Sequence, residues 1–139
     1  MIEQVEKGVT FQQILDGQRR HQRFRIYQLD FEDGKTKPFA FSGIDALHKA
    51  GYEQPPASEY RLVHDGELIC PKEQPADEVL ATLIQRFSST LPEHYAGRSI
   101  SASDVVELYG NDGRSYFYRD ISSFVPVRFS PMLAKPMRK

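Results

Sequence analysis

Serines alternate at Ser99, Ser101 and Ser103 and run into Asp104 in the stretch RSISASD, with His94 a few residues upstream. Those residue types are the parts of a nucleophilic site. Such chemistry needs a hydroxyl within hydrogen-bond reach of a base that a third group orients. If the stretch is extended, the three serines share one face, and nothing in the spacing sets His94 against any of them. No G-x-S-x-G elbow is present. Short hydroxyl and carboxylate side chains more commonly bond nearby backbone groups and fix a turn. The stretch is therefore expected to shape the entry to a hairpin, and no enzyme activity is expected.

Other chemistries are thinner still. The candidate metal ligands His21, His48, His64, His94 and Cys70 include no close pair of the C-x-x-C or H-x-x-x-H kind. Neither G-x-x-x-x-G-K-[ST] nor G-x-G-x-x-G occurs, so no nucleotide loop is expected. Asp30, Glu32 and Asp33 crowd one turn and read as solvated acids. No cofactor is expected. One local charge signal remains, RRHQRFR, which groups Arg19, Arg20, Arg23 and Arg25 around His21 and Phe24. Four cations can hold phosphates and an aromatic can stack on a base, but the same pattern arises when Phe24 is core and the arginines snorkel. The second reading is favoured, because the chain carries a net charge of −1 and lacks the high pI of a nucleic-acid binder. Tyr109, Tyr116, Phe117, Tyr118 and Phe124 form an aromatic cluster. It is either an outward contact row or a set of cross-strand pairs.

The chain of 139 residues suits one domain with a real core. Its single cysteine excludes an intrachain disulfide and fits a reducing cytoplasm. The first residues have no apolar run of signal-peptide length, and no segment approaches the roughly 20 apolar residues of a membrane helix. A soluble cytoplasmic protein is expected.

The elements that must position these residues are legible in outline. Residues 1–22 read as an appendage in which a short helix could start at Thr10, with Phe11, Ile14 and Leu15 on one side. RFRIYQLDF, from Arg23, reads as a strand ended by the turn EDGKTK. FSGIDALHKAG reads as a helix with Ser42 as N-cap, Asp45 three residues on, Ile44 and Leu47 inward, and Gly51 as its left-handed stop. EYRLVHDGEL is a second strand. PADEVLATLIQRFSS is a second helix, with Pro75 in its first turn and Val79, Leu80, Leu83, Ile84 and Phe87 at helical spacing. DVVELY and RSYFYRD make a hairpin around GNDG, and SFVPVRF is an edge strand because Pro126 donates no ladder bond. Residues 130–139 read as a flexible basic tail. The order β-α-β-α-β-β, with a possible edge strand at 124–129, predicts an α+β domain with two helices on one face of a mixed, mostly antiparallel sheet.

These residues also carry a family resemblance. IYQL (Ile26–Leu29), EYRLVHDGEL (Glu59–Leu68), VLATLIQRF (Val79–Phe87), LPEHYAGRSISASDVVEL (Leu91–Leu108) and YFYRDISSF together resemble the YodL-like domain. The pattern Y-x-G-x-S-x-S-x-S-D-V-V-x-L falls on Tyr95, Gly97, Ser99, Ser101, Ser103, Asp104, Val105, Val106 and Leu108. An aromatic strand follows with Phe117 and Tyr118, then Asp120 and Phe124, and Tyr116 joins the candidate contact residues. The likeness covers roughly residues 24–129, so the domain boundaries are set at 1–22, 23–129 and 130–139. It implies a small bacterial module, common in Firmicutes and often encoded on mobile elements, and brings no catalytic residues. Two departures stand out: DISSF replaces the family's D-S-x-G-F, and the loop ICPKEQPAD is long. If the family's glycine requires positive φ, Ser123 is strained or the turn differs. The function expected is non-catalytic binding, with an unknown protein partner and contacts through the 95–124 hairpin. The alternative is a nucleic-acid accessory protein of a mobile element using Arg19, Arg20, Arg23 and Arg25.

Overall fold

The computed structural model describes residues 4–6, 9–10, 17–31, 38–88, 90–111 and 113–138. Two short strands, β1 (Gln4–Glu6) and β2 (Val9–Thr10), pair with each other. The helix expected from Thr10 falls on residues outside those described, apart from Thr10 itself, which ends β2. The turn EDGKTK also lies outside them. The main elements are β3 (Arg19–Leu29), α1 (Ile44–Lys49), β4 (Tyr60–Pro71), α2 (Ala76–Arg86), β5 (Val105–Gly110), β6 (Gly113–Arg119) and β7 (Phe124–Val127). β3 starts at Arg19, four residues earlier than the sequence suggested.

Five strands form one sheet in the order β4-β3-β5-β6-β7, antiparallel at every pairing. The α+β class is as expected; the mixed sheet is not. The helices also do not share a face. Phe24 and Ile26 of β3 join Val106 and Leu108 of β5 under Val79, Leu80 and Leu83 of α2. Tyr27 and Leu29 join Val105 and Tyr118 under Leu47 of α1 on the other side. The reason is in the central strand. Residues Ile26–Leu29 are buried without a break, and side chains alternate between faces, so apolar groups face both ways and one helical layer cannot cover them. A register shift opposite Ile26/Tyr27, where His64 and Leu62 are the successive partners, leaves Val63 as an extra residue in β4.

Local chemistry explains the helix ends only in part. Gly51, at φ 97°, stops α1 as expected. The N-cap is Gly43, not Ser42, and no side chain of its own segment caps the helix. Ser42 instead donates its hydroxyl to Ala40 O. The missing acceptor arrives from the other end of the domain: Asp120 Oδ1 takes the Ile44 N–H at 3.0 Å. A Cβ on Gly43 would collide with that carboxylate, so the glycine is required for the cap. In α2, Pro75 is the N-cap, and Ile84 and Phe87 are only half-buried.

Residues 130–138, expected as a flexible basic tail, lie against the domain. Lys135 lies beside Arg61 in a parallel bridge, because the first residues of the edge strand β4 offer ladder groups that the tail satisfies. Among the described residues, no helix is long and apolar enough to cross a membrane.

Candidate functional site

Ser99 to Ser103 precede the strand, which starts at Val105. This segment is a loop folded over the end of β3, so the serines do not share a strand face. Its organising group is Asp104, fully buried beside fully buried Ser103. The Asp104 carboxylate receives two guanidinium nitrogens of Arg98 at 3.1 Å, the Ser101 N–H at 2.8 Å and Gln28 Nε2 at 3.0 Å. Burial nevertheless pushes the Asp104 carboxyl up to about 6, with Arg98 pulling the other way.

Gln28 is the second organiser. Its amide donates to Arg98 O at 2.7 Å, and its carbonyl accepts the Arg98 N–H at 3.1 Å. A Cβ on Gly97 would collide with Gln28 Oε1 and stand 2.9 Å from Val63, so only glycine permits this approach. Tyr95 donates its hydroxyl to Arg98 O at 2.8 Å, and its ring stacks on His64 with centroids 5.2 Å apart. Arg98 also reaches Ser101 Oγ at 3.1 Å and lies over the Phe41 ring. Ser99 is exposed at its side chain and lends its carbonyl to Gln28.

Ser103 extends the network to the α1 face. Its backbone is left-handed at φ 81°, its hydroxyl oxygen accepts the Phe41 N–H at 3.1 Å, and its carbonyl accepts the Tyr60 hydroxyl at 2.7 Å. The Ser103 N–H donates to Arg119 O and the Arg119 N–H to Asp104 O, which carries the β5–β6 ladder past the strand ends. Tyr118 is fully buried and donates to Ser42 O at 3.0 Å. Asp120 caps α1 and also accepts the Ile121 N–H. Ser123 is not among the positive-φ residues Phe41, His94 and Ser103, so serine in the family's glycine position is unstrained. His94 is exposed, and no hydrogen bond joins it to a serine among the described residues.

The aromatic cluster is divided. Tyr116 packs towards Phe129 on the α1 face, and Phe117 and Phe124 pack on the α2 face. Fully buried Tyr118 cannot belong to an outward row. The basic cluster is divided too. Arg20 donates to the carbonyls of Pro71, Lys72 and Gln74 at 3.1, 2.6 and 3.0 Å. Arg23 and Arg25 pair with Asp65 at 3.2 and 3.0 Å and flank the Tyr109 ring. Arg19 is exposed. Burial acts to raise the Asp65 carboxyl, but the Tyr109 hydroxyl and both arginines outweigh it and hold it below the usual carboxylate range. Fully buried Glu107, in the middle of β5, accepts the Tyr27 hydroxyl at 2.8 Å. Among the described residues, no group of three or more metal-ligating side chains is brought together.

Sequence reasoning missed Arg98, Gln28 and Glu107. A signal existed for the last two, since each interrupts an apolar strand run, IYQL or VVELY, and a buried polar group must find partners. One groove open to solvent, of about 520 Å³, lies between α2 and the β6–β7 edge, with Leu80, Ala81, Ile84, Phe117, Phe124 and Pro126 along it beside Asp77, Arg119, Ser122 and Ser123.

A family model for the YodL-like domain matches residues 23–129. The chain belongs to the YodL-like domain family. No curated protein and no solved structure matches it. The YodL-like span includes every residue of the Arg98–Asp104–Gln28 network and the Asp120 cap. It begins inside β3 and ends at Phe129, so it leaves out Arg19, Arg20 and the bound segment 130–138.

Proposed function

We propose that this YodL-like domain is a non-catalytic binding module of the bacterial cytoplasm that engages another protein through the groove between α2 and β6–β7. The groove itself carries the reading. Its apolar lining, Leu80, Ala81, Ile84, Phe117, Phe124 and Pro126, lies beside Asp77, Arg119, Ser122 and Ser123, an apolar centre with polar neighbours of the kind that marks interfaces. The surrounding chemistry supports binding over catalysis, because the Ser/Asp groups are engaged in bonds that hold the loop rather than with a base. Nucleic-acid binding through residues 19–25 has less support, since Arg20, Arg23 and Arg25 are held by protein groups.

Ala81 is exposed and lines the groove, so Ala81→Glu places a charge there without touching the core. Capture from bacterial lysate by the wild-type chain, compared with Ala81→Glu and with Gln85→Glu outside the groove, tests the reading. The partner is expected to be lost only with Ala81→Glu. An unchanged set of captured proteins overturns the groove as the contact surface.

A further inference from the structure

At the opposite edge of the sheet the chain already performs a peptide-docking event on itself. Phe129 anchors this segment, its ring 4.8 Å from Tyr27 and 5.5 Å from Tyr60. A 3-10 turn at Pro131–Leu133 follows, and the chain then runs along the outer side of β4. The Lys135 N–H donates to Tyr60 O at 2.8 Å, and the Leu62 N–H donates to Lys135 O at 2.9 Å. Arg61 Nη1 donates to Pro136 O at 2.8 Å. Two cations of the segment reach one buried carboxylate: Lys135 Nζ is 3.1 Å from Asp30 Oδ2, and Arg138 is 3.5 Å from Asp30 Oδ1. Ladder bonds from the main chain plus a side-chain contact that selects sequence is the arrangement of strand addition to a sheet edge.

The segment is held differently from the rest of the fold. It lies beyond the family-matched span. Met132 and Leu133 are 93% and 63% exposed, so they add little burial. The cations that tie it down are 37% and 55% exposed, where ion pairs are weak and salt-sensitive. Beneath it is a cleft of about 480 Å³ lined also by Arg25, Tyr27, Leu62, Asp65 and Arg114.

We propose that Tyr60–Leu62 of β4, with Asp30, forms a docking site for an extended basic peptide, and that residues 130–138 fill it in cis as a displaceable stand-in. The occupant is a partner segment with a lysine beside Arg61 and an arginine three residues on, the spacing of Lys135 and Arg138. A partner meets this site only after the resident segment leaves, so access is set by competition within one chain.

The test uses the full chain and, as probe, a labelled synthetic peptide of sequence SPMLAKPMRK. Lys135→Glu/Arg138→Glu releases the resident segment, and this variant is expected to bind the probe at least tenfold more tightly than the wild type. Adding Asp30→Asn to it should weaken binding at least tenfold, as should replacing the probe's lysine and arginine by glutamate. Equal binding by the wild type and the released variant overturns the proposal, as does binding indifferent to Asp30. A second measurement needs no variant. Amide exchange at Lys135 in the wild type should be at least a hundredfold faster than at Ile26. Protection of Lys135 equal to that core strand means that the segment does not detach, and the proposal fails.

Discussion

The Phe41 N–H donates to the Ser103 hydroxyl oxygen at 3.1 Å, and both residues have left-handed backbones, at φ 58° and 81°. Two loops more than sixty positions apart thus hold each other in conformations that non-glycine residues adopt at a cost of order 1 kcal/mol each. The bond to Ser103 lets that strain persist. Ser103→Ala keeps the strain and orphans the Phe41 donor, a loss of about 1–2 kcal/mol. Ser103→Gly also orphans the donor but removes the strain. The glycine variant should therefore unfold at a higher urea concentration than the alanine variant. The reverse order in urea titrations would mean that the left-handed backbone stores no energy.

Asp120 and Gly43 form the second long-range pair. Asp120→Ala removes the acceptor for the Ile44 N–H, and Gly43→Ala drives a methyl into the same carboxylate. Each change should cost about 1 kcal/mol, the usual value of an N-cap. Both remove one interaction, so the double variant should cost clearly less than the sum. Strict additivity in a double-mutant cycle would show that the two residues are uncoupled.

The pH dependence of stability should carry the Asp104 signature. Its carboxyl stands at about 6 in the fold, against 3.8 for an aspartate in an open chain. The folded state therefore holds the extra proton between those values, and the stability it brings is complete below 3.8 and lost as pH rises through 6. The whole effect is on the order of 2–3 kcal/mol. Thermal unfolding of the wild type, taken relative to Asp104→Asn, should show the wild type losing stability from about pH 4 to about pH 7. A wild type that instead gains stability over that range relative to the variant would place the Asp104 carboxyl below 3.8.

The free edge of β7 is guarded. The Asp120 N–H bonds Ser123 O at the hairpin end. Ladder alternation then turns the main-chain N–H and C=O groups of Val125 and Val127 towards β6 and leaves those of Phe124, Pro126 and Arg128 facing outward. Pro126 has no donor, and the Arg128 N–H is taken by Gln54 Oε1 at 2.7 Å. Pro126→Val restores a donor to an exposed apolar edge, which is a template for pairing between copies. Sedimentation velocity should show concentration-dependent association of the variant beyond that of the wild type. Identical profiles would mean that Pro126 is not what blunts the edge.

Periodicity in the chain was enough to place α2, the β5–β6 hairpin and the edge strand with Pro126, because each of these depends on neighbours within a few residues. The same local grammar marked Gly51 as a helix stop and singled out Ser101, Ser103 and Asp104 as turn-forming groups. It misplaced the cap of α1, since Ser42 and Gly43 are adjacent and only Asp120, far along the chain, distinguishes them. It also put both helices on one face, although Ile26 on one side of β3 and Tyr27 and Leu29 on the other required cover on two.

By itself the sequence determined the α+β class and the main helices and strands from residue 23 on, which follow from short-range spacing and the alternation of apolar residues. The family follows from the motif residues that the YodL-like model matches. Only the tertiary structure decided that Arg98 and Gln28 converge on Asp104, that Arg20, Arg23 and Arg25 of β3 are engaged, and that the basic end of the chain lies on β4. Each of these is a contact between residues distant in sequence, chosen when the sheet closes and buried polar groups must find partners. No local pattern records that choice.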